Sequence, residues 1–268
     1  MEETSVIKIA VVGAAGRMGS EVLRSLHGDA IKVVGAVDRS HIGESVRELA
    51  GPKAPDILIE DKLGAVLDRT KPDVMVDFSH QAQAASHVES AAKRKIAFII
   101  GCTGISDADI REIRQLSVEH STPGMIVPNF ALGAVLMMHF AQIAAKWLPE
   151  VEVIEMHHDR KEDAPSGTAL LTAALIEESR GHRGLSRHIE SIKVEGARGG
   201  LTHGVRVHSV RLPGLLAHQQ VLFGAPGETL TIRHDSMDRA SFMQGVKLCV
   251  ERVRGLTGLT VGLDKLLF

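Results

Sequence analysis

Val6-Ile7-Lys8-Ile9-Ala10-Val11-Val12 runs without a break into Gly13-Ala14-Ala15-Gly16-Arg17-Met18-Gly19. The first half is almost continuously apolar, as a parallel strand covered on both faces must be. The second half places glycines at a strand-to-helix turn. Gly13 permits the tight turn, Gly16 and small Ala15 let the backbone approach a ligand, and Gly19 allows close packing of helix on strand. Arg17–His27 then carries Met18, Val22, Leu23 and Leu26 at helical spacing. A bare structural turn in an α/β sheet is the alternative reading of the glycines alone.

The start of that helix offers N–H groups and the positive end of a dipole, which suit a pyrophosphate. A second strand, Ile31–Val37, ends at Asp38, about 20 residues beyond the turn, where a carboxylate accepts from a ribose diol. Arg39 beside it suits a 2′-phosphate. The pair predicts use of both NADH and NADPH. Further strands are expected at Asp56–Ile59, Asp73–Phe78, Ile96–Ile100 and Met125–Val127, with helices at Asp61–Arg69 and Gln81–Arg94 between them. Ser106 with Asp109 three residues on is a capping-box pattern for a helix reaching about Glu119. This alternation defines a Rossmann-like, mostly parallel sheet. Phe78-Ser79 and Gly101-Cys102-Thr103-Gly104 fall at C-terminal strand ends, where open α/β sheets bind ligands. Plain loops remain the alternative there.

The pattern changes after Asn129. Ala131–Trp147 reads as a long apolar helix, Val151–Met156 as a strand with one wet face, and Pro165–Arg180 as a helix capped by Ser166. Ile189–Val194, Gly204–Arg211, Gln219–Phe223 and Thr229–His234 are four strand candidates without helices between them, hence a mixed or antiparallel sheet in a second, α+β domain. Asp238–Arg254 returns to helical spacing. We expect a dinucleotide-binding domain over 1–130, a substrate-binding and oligomerisation domain over 131–238, and a C-terminal helix and tail over 239–268 that returns to the first domain.

Composition narrows the function. Lys and Arg number 31 against 33 acids, which speaks against a binder living on phosphate contacts with nucleic acid. No uninterrupted apolar run of about 18 residues is present to span a membrane. The two cysteines make no disulfide framework. The opening MEETSVIKIA has an apolar run of only about seven residues, too short for a signal peptide, so cytoplasmic residence is expected. With no tyrosine in the chain, a Tyr-Lys short-chain dehydrogenase mechanism is excluded.

Chemistry concentrates in Glu155-Met156-His157-His158-Asp159-Arg160-Lys161-Glu162-Asp163-Ala164-Pro165-Ser166-Gly167-Thr168. A strand ends, a loop brings two imidazoles and a lysine, and a helix begins. Histidine suits proton transfer near neutrality, and the helix start offers N–H donors to an anion. Such a loop would bind and protonate a carboxylate-bearing substrate. A metal site would need ligands that neighbouring strand residues, pointing to opposite faces, do not supply, and none is expected. A solvated charged loop before a capped helix is the remaining local alternative.

The GAAGRMG turn, the Gly101–Gly104 turn, the Pro128-Asn129-Phe130 junction and above all EMHHDRKEDAPSGTA resemble the 4-hydroxy-tetrahydrodipicolinate reductase (dihydrodipicolinate reductase) family. The likeness spans essentially the whole chain. It implies reduction of a cyclic dicarboxylate by NAD(P)H in diaminopimelate and lysine biosynthesis, by a homotetramer. It further implies that Gly13, Ala14, Ala15, Gly16, Arg17 and Met18 hold the pyrophosphate, Asp38 the adenosine ribose and Arg39 a 2′-phosphate. Gly101, Cys102, Thr103, Val127, Pro128, Asn129 and Phe130 would line the nicotinamide side. His157 is the implied proton donor or acceptor and Lys161 the proton donor, with His158, Ser166, Gly167 and Thr168 on the substrate. Cys102 stands where threonine is commoner in the family, a small-for-small exchange. A different class, an NADH-binding redox sensor without turnover, would leave the His-Lys loop without a purpose. A cysteine-dependent dehydrogenase would need its nucleophile in the second domain, where neither Cys102 nor Cys249 is expected.

Overall fold

The computed structural model describes residues 6–181 and 191–268. Cα packing divides the chain into two units, one running through Phe130 and resuming at Phe242–Phe268, the other Ala131–Ser241.

The first unit contains strands β1 (Ile7–Val12), β2 (Ile31–Val37), β3 (Ile59–Glu60), β4 (Val74–Asp77), β5 (Ala97–Ile100) and β6 (Gly124–Ile126). Its helices are α1 (Arg17–Ser25), α2 (Val46–Ala50), α3 (Leu63–Thr70), α4 (Ala84–Ala92) and α5 (Asp107–Glu119). The second unit contributes α6 (Leu132–Ala145), β7 (Glu150–His157), α7 (Gly167–Arg180), β8 (Gly200–Thr202), β9 (Val205–Arg211), β10 (Ala217–Ala225) and β11 (Glu228–Ser236). The chain then returns to the first unit with α8 (Met243–Arg252) and β12 (Leu259–Val261).

The first sheet has the order β12-β6-β5-β4-β1-β2-β3, and every pairing in it is parallel. The order reverses between β1 and β4, and at such a switch point the loops on either side splay apart and leave a crevice at the C-terminal strand ends. Ala10, Val12, Met75, Phe98 and Ile100 pack with Val66 and Leu67 of α3, Val88 of α4 and Ile113 of α5. Ile9 and Val11 are equally buried on the opposite side of β1, which explains the unbroken apolar run. The capping box at Ser106 and Asp109 is formed.

Three local differences have physical causes. The strand expected at Asp56–Ile59 begins only at Ile59, because the backbone before it pairs instead with the Ser45 loop through Val46 N–H to Ile57 O and an isolated bridge to Leu58. Leu259–Val261 forms an edge strand that the sequence does not announce, pairing with β6. Of the strand expected at Ile189–Val194, the first two residues lie outside the described residues and 191–194 are not strand.

The second sheet is mixed, in the order β11-β10-β7-β9-β8, with β7 and β9 parallel and the remaining neighbours antiparallel. Helices α6 and α7 cover one face, where Val151, Val153, Val207, Val221 and Phe223 are buried. Among the described residues no helix is long and apolar enough to cross a membrane.

Candidate active site

In the first unit, the glycine turn behaves as its spacing demands. Gly13 has φ +74°, and a Cβ there would lie 2.7 Å from the Phe78 carbonyl carbon and the Ser79 nitrogen. A Cβ at Gly19 would sit 2.0 Å from the Gly13 oxygen, so only glycine lets α1 approach the turn this closely. Gly16 is the N-cap of α1, no side chain caps the helix, and its first turn holds no acid. The positive end of the dipole is thus left to an external anion.

Asp38 joins this turn directly. Its Oδ2 accepts from the Ala15 N–H at 2.9 Å, and its Oδ1 accepts from the Ser40 N–H at 2.9 Å and the Ser40 hydroxyl at 2.8 Å. Burial opposes ionisation of Asp38, but the bonds from Ser40 and Ala15 outweigh it and hold the carboxyl below its ordinary value. Arg39 is exposed and donates from Nη2 to Gln83 Oε1 at 2.8 Å, which brings the residue expected at a 2′-phosphate beside the segment after β4. Arg17 is exposed and Met18 half-buried at the head of α1.

Gly101 ends β5 beneath two aromatic rings. A Cβ there would lie 2.3 Å from Phe78 Cε1 and 2.8 Å from Phe130 Cε2, and the two ring centroids are 5.4 Å apart. Thr103 and Pro128 are exposed and Asn129 is half-buried, whereas Cys102 and Val127 turn their side chains into the core. Only backbone atoms of the latter two remain to line a ligand. Burial, with the Asp77 carboxylate nearby, pushes the Cys102 thiol up to about 11, and burial pushes Cys249 to about 12. Neither thiol is a nucleophile near neutral pH. A cradle that a Cβ would fill, an uncapped helix start and an acid at the end of β2 fit a dinucleotide.

The second unit carries the histidine loop. Along β7 the helix-covered positions run Val151, Val153, Glu155, His157, so the buried face turns from apolar to polar toward the C-terminal end. Register places Ser209 and Arg211 of β9 and Gln219 of β10 beside Glu155 and His157. The Glu155 side chain is 0% exposed. Its Oε2 accepts from His157 Nδ1 at 2.5 Å and Arg211 Nη1 at 2.9 Å; its Oε1 accepts from Arg211 Nη2 at 2.8 Å and Ser166 N–H at 3.2 Å. Burial works to raise this carboxyl, but the bonds from His157, Arg211 and Ser209 bring it down to about 2.

Ser166 caps α7, its hydroxyl accepting from the Ala169 N–H at 3.2 Å, and the first turn of the helix holds no acid. A Cβ at Gly167 would meet nothing within 4 Å, so space stands open before this helix start. Lys161 is paired through both oxygens of Asp163, at 2.7 and 2.9 Å, and this bond holds Asp163 below its ordinary value. His158 presents a buried Nδ1 that has no partner among the described residues.

The structure therefore gathers the expected residues into two sets, one in each unit. It adds Gln83, Glu155, Asp163 and Arg211, to which sequence reasoning gave no role. One signal was available for Glu155: in VEVIEM the apolar positions switch phase after Val153, leaving a glutamate on the core-facing side of the strand.

The two sets define a pyridine-nucleotide oxidoreductase with a Rossmann-like domain and a separate α+β domain carrying the His157–Lys161 loop. Family models described as "Dihydrodipicolinate reductase, N-terminus" and "Dihydrodipicolinate reductase, C-terminus" match residues 7–130 and 133–267. The chain belongs to the dihydrodipicolinate reductase family. It is 48% identical over 263 residues to 4-hydroxy-tetrahydrodipicolinate reductase of Halalkalibacterium halodurans, covering 98% of this chain and 100% of that one. The Syntrophomonas wolfei reductase is 46% identical, with 97% and 98% covered. A dipicolinate-bound dihydrodipicolinate reductase from Paenisporosarcina sp. TG-14 superposes with TM-score 0.86 at 38% identity, covering 97% of this chain and 99% of that one. An amine dehydrogenase from Mycobacterium smegmatis, at 13% identity and TM-score 0.66, shares the fold.

Proposed function

We propose that this chain reduces 4-hydroxy-tetrahydrodipicolinate to tetrahydrodipicolinate in diaminopimelate and lysine biosynthesis in the cytoplasm, accepting both NADH and NADPH. The observation that carries this reading is the His157–Glu155–Ser166 linkage, which ties a proton-transfer imidazole to an anion-accepting helix start.

A bound reduced nicotinamide would supply a hydride to ring carbon C4 of the unsaturated imine that forms when the substrate's 4-hydroxyl leaves as water with a proton from C3. Gly13 to Met18 would hold the pyrophosphate on the backbone at the start of α1, Asp38 the adenosine ribose and Arg39 a 2′-phosphate. Gly101 to Thr103 and Val127 to Phe130 would line the nicotinamide side. Asp38 disfavours a 2′-phosphate by its charge while Arg39 favours it, which supports dual use.

His158, Ser166, Gly167 and Thr168 bind the two carboxylates, and the helix dipole stabilises negative charge there. The charge that develops on the ring during reduction would be stabilised by the Lys161 ammonium and the N–H donors at the start of α7. His157 and Lys161 then deliver the proton that neutralises it. Lys161 reaches the substrate by exchanging the Asp163 carboxylate for a substrate carboxylate, an ion pair for an ion pair.

Assembly as a homotetramer through the second sheet fits its face away from α6 and α7. There Ile154, Met156, Val210 and Leu222 are half-buried in the single chain. Sedimentation that finds a stable monomer removes the assembly proposal. The catalytic reading is tested by oxidation of reduced nucleotide with enzymatically generated substrate: a rate proportional to enzyme and abolished by omission of substrate supports it, and no oxidation with either nucleotide overturns it.

A further inference from the structure

A single carboxylate holds three parts of the second unit's site at once. Glu155 bonds the imidazole of His157, the backbone of the α7 cap Ser166, and Arg211 through both guanidinium Nη atoms. Arg211 Nη2 also donates to the Asp163 carbonyl at 2.6 Å, which fastens the loop whose Asp163 side chain pairs with Lys161. The register makes this possible: His157 stands beside Arg211, and Glu155 beside Ser209, on the same face of the sheet.

We propose that Glu155, clamped by Arg211, is the positioning residue that fixes His157 as its Nδ1–H tautomer and locks the imidazole to the helix start that receives the substrate carboxylate. An ionised carboxylate only accepts hydrogen bonds, so Nδ1 of His157 must donate to it. The proton that His157 exchanges with substrate is then carried on Nε2, and the ring cannot turn without losing its bond to a fully buried charge. Arg211 keeps the carboxylate ionised despite burial, in agreement with the depressed value of Glu155. The groups facing this carboxylate are His157 from its own strand, Arg211 and Ser209 from β9, Ser166 from the head of α7, and Gln219 across β10, whose amide instead donates to Thr172.

This inference rests on His157 as the proton-transfer residue, and its test separates the two. Nitrogen-15 NMR of the full chain, with His157 assigned through its absence in H157N, reads the tautomer without turnover. The wild type is expected to show a pyrrole-type Nδ1 and a pyridine-type Nε2 above neutral pH. In E155Q the population shifts toward Nε2–H, kcat falls by about 10- to 100-fold, and KM for the nucleotide is unchanged. E155D, which keeps the charge, restores part of the wild-type tautomer signal and rate. A wild-type His157 in the Nε2–H form overturns the proposal even if no variant folds. So does a folded E155Q with wild-type kcat. A wild type with the expected tautomer but no reductase activity supports the positioning role and counts against the reductase reading instead.

Discussion

The Asp38 carboxylate accepts a hydrogen bond from the Ala15 amide at 2.9 Å, so the acid at the end of β2 and the glycine turn after β1 form one surface. Its neighbour Arg39 points elsewhere, to Gln83. Two adjacent residues thus turn to different places, as the proposed ribose and 2′-phosphate roles require. Arg39→Ala should weaken NADPH by about tenfold, ~1.4 kcal/mol, with little effect on NADH. Dissociation constants from fluorescence titration check this, and an unchanged NADPH-to-NADH ratio removes Arg39 from the 2′-phosphate.

Gly19→Ala tests the closeness of helix and turn. In an open helix that exchange gains about 1 kcal/mol. Here the added Cβ would stand 2.0 Å from the Gly13 oxygen, against backbone that cannot rotate away. The expected result is a loss of about 1–3 kcal/mol by urea denaturation, as for overpacked cores, together with weaker nucleotide binding. A raised midpoint contradicts the tight turn.

Lys161→Ala should lower kcat by about 100-fold or more, because the variant removes the proposed proton donor to the transition state. Nucleotide affinity is expected to stay close to wild type, because the glycine turn belongs to the other unit. Steady-state kinetics and nucleotide titration separate the two effects. Near-normal turnover in this variant takes Lys161 out of the chemistry.

Acid should undo the second unit in a defined window. Glu155 is lowered from 4.5 to about 2, so the folded state binds its proton less readily than the unfolded chain. Stability from this group is fully present above the ordinary carboxyl value and is lost as pH falls toward about 2. Asp163 of the same unit, lowered by its bond from Lys161, acts in the same direction. Denaturation midpoints across that range should fall more steeply for the wild type than for E155Q. Parallel slopes contradict the assignment.

Both thiols should resist modification in the native protein. Cys249 is 0% exposed and Cys102 9%, and both are pushed far above neutral pH. A disulfide exchange reagent at neutral pH is expected to react slowly with native protein and quickly with both thiols in denaturant. Rapid native labelling contradicts their burial.

Much of this was legible in the residues because the demands are local. Gly13 is required by its own positive φ, Gly19 by the Gly13 oxygen in the same turn, and Ser106 with Asp109 by one helix turn. The unreadable parts are those that depend on strand order. Arg39 finds Gln83, and Glu155 finds Arg211, only once the sheets are assembled. β12 is three residues long and owes its state to pairing with β6. Glu155 lies between these cases: its position on the core-facing side was readable from the phase of β7, but its partners were not.

The most direct test follows the transferred hydrogen. Nucleotide deuterated at C4 of the reduced ring is turned over with enzymatically generated 4-hydroxy-tetrahydrodipicolinate, and the product is read by mass spectrometry and NMR. The expected result is stoichiometric oxidation of nucleotide with deuterium retained at C4 of the product. Nucleotide that binds without being oxidised, or a product free of deuterium with either face labelled, contradicts the account.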